Sequence, residues 1–128
     1  PVTEEFTTTE RPQSTVCVEI PAEPRYVALI RVAAASMAAD LDPVIDDVDD
    51  LRVAVNELVG LMVEAAEGGS VVVHLWSEER TIHVTGQCKG PSSRVSPDQL
   101  TLRILDATVD SYEVSDGSFR VHKRLGAV

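Results

Sequence analysis

The feature that most limits the fold is a change of apolar period within the first half of the chain. Val16, Val18 and Ile20 alternate with Cys17 and Glu19, the period of a half-buried strand, and Pro21 ends the run. After Pro24 the spacing becomes helical, with Val27, Ile30, Ala34, Met37 and Leu41 separated by steps of 3 and 4 residues. A second stripe of the same spacing, Val48, Leu51, Val55, Leu58 and Met62, follows Asp42-Pro43. There Asp42 is placed to cap free backbone N–H groups, and Pro43 to take the first helical position, where its missing N–H costs nothing. Gly68-Gly69 supplies the stop. Two helices that are apolar on one face only need a surface to bury that face against, and the flanking strands provide it.

Ser70–Ser77 and Thr81–Gln87 read as a hairpin around Glu78-Glu79-Arg80, the second strand alternating Ile82 and Val84 with Thr81, His83 and Thr85. Lys89–Val95 is rich in Gly, Pro and Ser and has no apolar period, so it reads as a loop. Ser96-Pro97-Asp98-Gln99 has the form of a capping box opening a third helix, which runs to about Val109. Asp116-Gly117 between Tyr112–Val114 and Ser118–Arg124 is a hairpin turn signal. The order β, α, α, β, β, α, β, β predicts an α+β fold, a two-layer α/β sandwich whose mixed, mainly antiparallel sheet carries its helices on one face. Residues 1–14 are polar and Thr-rich and are expected to form a flexible arm, leaving residues 15–128 as one domain.

Charge and cysteine content restrict the function. With 21 acids against 11 bases and a net charge of −10, the chain lacks the basic surface that tracks nucleic-acid phosphates, so no direct nucleic-acid partner is expected. Residues 1–50 hold 11 of the acids, six of them at Asp40, Asp42, Asp46, Asp47, Asp49 and Asp50. That cluster is either a solvated helix junction or a docking surface for a basic partner. Cys17 and Cys88 are the only cysteines, His74, His83 and His122 are scattered, and no Cys-x-x-Cys pair occurs, so no metal site is predicted. No apolar run approaches the roughly 20 residues of a membrane span, which makes a cytoplasmic protein the expectation.

The element order together with Asp50–Ala66 (DLRVAVNELVGLMVEAA) resembles the histidine-kinase-type ATPase fold, also called the Bergerat or GHKL fold. More narrowly it resembles the small bacterial anti-sigma factors that are also serine kinases of their antagonist proteins. The family pattern Ala-Val-x-Glu-x-x-x-Asn is met by Ala54, Val55 and Glu57, with Asn56 between them. The resemblance implies a general base at Glu57, whereas the magnesium-binding Asn is replaced by Leu61, which has no electron pair to offer a cation. Asn56 is about 100° round the helix from Glu57 and does not simply substitute for the lost magnesium ligand.

The family's Asp-x-Gly-x-Gly aligns with Gly86-Gln87-Cys88-Lys89-Gly90, where Gly90 fits and the adenine-reading Asp is replaced by Gly86. Its Gly-x-Gly-Leu phosphate cradle aligns with Gln99-Leu100-Thr101-Leu102, which retains neither glycine. Leu102-Arg103-Ile104 with Val109-Asp110 resembles the family's following helix, and Gly117–Val121 its last strand.

The resemblance therefore implies a regulator of transcription that binds a sigma factor, an antagonist protein, or both, by surface contact and without nucleotide chemistry. It also implies a homodimer. The alternative is an active serine-protein kinase, with Glu57 as base, Asn56, Gly86 and Gly90 beside nucleotide, and ATP and magnesium as cofactors. A further alternative is an unrelated small α+β domain, which a wholly helical or parallel structure would favour. In that case Glu57 is an ordinary surface glutamate.

Overall fold

The computed structural model describes residues 14–127. Apart from Ser14, the arm expected at residues 1–14 lies outside the described residues. Strand β1 (Val16–Pro21) is followed by a 3-10 turn (Pro24–Tyr26) and helices α1 (Val27–Ala39) and α2 (Ile45–Ala65). Strands β2 (Ser70–Glu78) and β3 (Thr81–Lys89), helix α3 (Gln99–Thr108), and strands β4 (Ser111–Ser115) and β5 (Ser118–Arg124) complete the order expected from the sequence. The five strands form one sheet in the order β1-β2-β3-β5-β4, antiparallel at every pairing.

One core joins the helices to one face of the sheet. Alternate residues Val71, Val73 and Leu75 of β2, Ile82 and Val84 of β3, and Phe119 and Val121 of β5 are buried against Ile30 and Ala34 of α1 and Leu51, Val55, Leu58 and Met62 of α2. Burial of each larger side chain contributes about 1.5–3 kcal/mol. The buried stripe of α2 is wider than its 3-4 spacing suggests, because Ala54, Val59 and Val63 are buried as well.

Two helix starts differ from the sequence expectation. Helix α2 begins at Ile45 with no side-chain cap. Asp42 instead takes a left-handed conformation (φ 53°), tolerated by Asp better than by most residues, and Pro43 forms an isolated bridge with Ala127. Helix α3 is capped by Asp98, whose carboxylate accepts a 2.8 Å hydrogen bond from the Thr101 N–H, so the cap lies two residues beyond Ser96. That bond holds the Asp98 carboxyl below its ordinary pKa.

The C-terminal segment is tied to the α1–α2 junction. Arg80 donates from Nε to the Leu125 carbonyl (3.0 Å), and from Nη2 to those of Gly126 (3.0 Å) and Asp42 (3.3 Å). Asp47 accepts from the Gly126 N–H at 2.7 Å, and Lys123 on β5 pairs with Asp47 (3.6 Å) and Asp50 (3.7 Å). Two of the six clustered aspartates are therefore engaged inside the fold, where the sequence offered only a solvated junction or a docking surface.

Candidate functional site

Helix α2 presents its candidate residues to two different neighbours. Asn56 faces α1, where its side-chain carbonyl accepts a 3.1 Å hydrogen bond from Arg31. Glu57, about 100° further round, faces α3 and accepts a 3.1 Å bond from the Thr101 hydroxyl. One turn on, Leu61 packs against the core. Asn56, Glu57, Gly60, Leu61, Glu64 and Thr101 line a cavity of 260 Å³. The carboxylates there are Glu57 and the exposed Glu64, and Leu61 sits between them in sequence with no atom able to hold a cation.

The glycines expected beside nucleotide lie elsewhere. Neither Gly86 nor Gly90 lines that cavity. Gly86 on β3 is paired with Phe119 on β5, both on the helix-covered side, and a Cβ at residue 86 would collide with three carbons of the Phe119 ring. At the position that aligns with the adenine-reading Asp, a side chain could enter only if the Phe119 ring shifted. Gly90 follows β3 with φ 94°, and a Cβ there would meet open space, so it serves the turn and not a close approach.

Cys88, aligned with a family glycine, points at the Met62 carbonyl (3.4 Å) and lies 3.8 Å from the Met62 sulfur. Burial pushes its thiol pKa up, away from thiolate formation. The loop after β3 is fixed to the end of α2 by the Ser93 N–H, 2.8 Å from the Ala65 carbonyl, and to the last hairpin by Arg94–Asp116 at 3.3 Å.

A second concavity, of 720 Å³, runs between the outer faces of α1 and α2. Val32, Ala35 and Val53 give it apolar surface, and Arg31, Arg52, Asp49, Ser36 and Asn56 line it beside them. Val32 is 66% exposed and Val53 43%, so both present apolar surface to this concavity. Both valines fall off the buried 3-4 stripes of their helices. Their position as valines on the opposite face was the available signal.

The architecture is shared with a solved structure. The crystal structure of the RsbU and RsbW domains of Rv1364c from Mycobacterium tuberculosis superimposes with a TM-score of 0.68 over 89% of this chain, at 18% sequence identity. The likeness is one of fold. It bears out the expected α+β sandwich, whose five-stranded sheet is antiparallel throughout. This chain spans 33% of the length of that one. No family model and no curated protein matches the sequence. None of the described helices is long and apolar enough to cross a membrane.

Proposed function

We infer that this chain is an anti-sigma-factor-like regulator that works by protein–protein binding, with its ATP site lost. The observation that carries the reading is the Gly86–Phe119 contact. An ATPase of this fold needs a carboxylate at the aligned position to accept a hydrogen bond from the adenine amino group. Here a phenyl ring occupies the space that carboxylate would enter. Leu61 in place of the magnesium ligand removes the cation that would neutralise and orient the phosphates. Glu57, held by Thr101, then acts as a link between α2 and α3.

The groove between α1 and α2 is the surface best suited to a partner. Its exposed valines favour the apolar stripe of an amphipathic helix, and Arg31 and Arg52 favour carboxylates beside that stripe. The fold shared with an RsbW-containing structure and the Ala54–Glu57 segment support a sigma factor or an antagonist protein as the source of that helix.

Calorimetric titration with magnesium-ATP tests the first part: no heat is expected at millimolar nucleotide. Micromolar binding with phosphotransfer abolished by Glu57→Ala would overturn it and establish the kinase alternative. For the second part, binding to sigma factors and antagonists purified from the native host is expected to be lost in Val32→Asp. Binding unchanged by that substitution would remove the groove, and no binding to either class would remove the regulatory reading.

A further inference from the structure

Helix α2 carries a glycine that neither its packing nor its backbone requires. Gly60 lies in the helix interior, its φ is not in the left-handed region, and a Cβ there would meet no atom within 4 Å. Alanine would suit the helix better, so the bare position costs stability and leaves an opening. That opening joins two hollows. One is the 260 Å³ cavity beside Glu57 and Thr101, the other a 300 Å³ hollow between α2 and the 3-10 turn, and Gly60 and Glu64 border both. The result is a groove continuous across Gly60, with apolar surface from Leu61, Val63, Val27, Ala22 and Pro24.

Its charged side chains are all acidic. Glu57, Glu64 and Glu67 line the groove, and no basic side chain does. Glu57 is tied to Thr101, whereas Glu64 and Glu67 are exposed and have no hydrogen-bond or ion-pair partner among the described residues. Both stand at the C-terminal end of α2, where the helix dipole is negative and the last turn holds no basic residue. Two carboxylates are thus placed where the fold itself opposes them.

We propose that this groove takes a basic segment of a protein partner, its lysine or arginine heads against Glu64 and Glu67 and their methylene stems on the apolar surface beside Gly60. A metal ion would use the carboxylates and leave the apolar surface unused, and the described residues contain no metal-holding cluster. A long basic side chain uses both. The inference does not rest on the α1–α2 concavity, which holds Arg31 and Arg52 and shares only Asn56 with this groove.

The probe is a short fluorescent peptide of alternating lysine and leucine, titrated against the full chain. Glu64→Gln combined with Glu67→Gln is expected to weaken binding about tenfold, as is Gly60→Met, which fills the opening. Asp40→Asn combined with Asp46→Asn removes the same charge from exposed positions elsewhere and should change it by less than about twofold, as should Val32→Asp in the other groove. Gly60→Ala is expected to raise the melting temperature, since it fills empty space in a helix. Equal weakening by the two double variants would reduce the attraction to net charge and overturn the proposal. So would absence of binding, binding that survives Gly60→Met, or a lower melting temperature in Gly60→Ala. A dimer of the unliganded chain that Glu64→Gln with Glu67→Gln dissociates would assign the groove to a second copy and overturn it too.

Discussion

The ring of Phe119 fills the space in which any side chain at residue 86 would have to begin. Both residues belong to the ladder between β3 and β5, so neither backbone can withdraw without breaking strand pairing. Gly86→Ala is therefore expected to cost about 1–3 kcal/mol by overpacking. Gly86→Asp should cost more, because it also buries a carboxylate. Chemical denaturation of Gly86→Ala, Phe119→Ala and the double variant measures the coupling. The double variant should be less destabilised than the two singles added together, and a neutral Gly86→Ala would show that the ring moves aside freely.

Lys123 joins β5 to the start of α2 through Asp47 and Asp50, and its side chain is only 12% exposed. Lys123→Met leaves two neighbouring carboxylates without their cation. Because both aspartates retain contact with water, the loss is expected at about 1–2 kcal/mol and not at the value of a fully buried pair. A urea melt of Lys123→Met against the double variant with Asp50→Asn checks this: the second change should restore part of the loss.

Arg80 is the donor for three backbone carbonyls that come from two distant parts of the chain. Arg80→Ala is expected to cost about 1–3 kcal/mol, since those bonds involve a charged donor. Amide exchange should quicken at Leu125 and Gly126 well before it does in β2. Uniform quickening across the sheet would mean that Arg80 supports the whole fold and not one end of it.

Burial pushes the His83 imidazole below its ordinary pKa, with the charge of His122 acting the same way and that of Glu78 opposing both. A base with a depressed folded pKa binds fewer protons in the folded state than in the unfolded one. The contribution is therefore fully present above the unfolded value near 6.5 and is lost as pH falls through it towards the folded value. Thermal melts of the wild type and His83→Gln between neutral and mildly acidic pH should converge as the pH is lowered. Melting curves that stay parallel across that range would contradict it.

Much of the fold was legible because its signals are local. The stripes through Ile30 and Leu51, the Asp116-Gly117 turn and the alternation around Ile82 each determine one element by period or turn chemistry, and all appear where expected. The cap of α3 lies two residues beyond the Ser96–Gln99 capping box because Asp98 is as good a cap as Ser96 in the same short stretch, and only backbone geometry chooses between them. Asp42-Pro43 has the form of a helix start, whereas in the structure Pro43 bridges Ala127 and the helix begins at Ile45. The site was less legible still. Replacement of a family carboxylate by Gly86 could be seen in one sequence, but its consequence depends on Phe119, which is 33 residues away and adjacent only through strand register. Arg31 beside Asn56 and the stacking of Trp76 on His83 are likewise products of pairing between separate segments.

The position of β1 in the sheet sets the order in which the molecule can assemble. Strands β2 and β3, and β4 and β5, are hairpins that close over short turns, whereas Val16 meets Leu75 only after the whole α1–α2 pair has been traversed. Closing so long a loop is entropically unfavourable until the helices shorten it. The edge strand is therefore expected to dock late. Slow-folding molecules would then pass through a stage in which β2 has an open edge and offers its valines to any extended chain nearby.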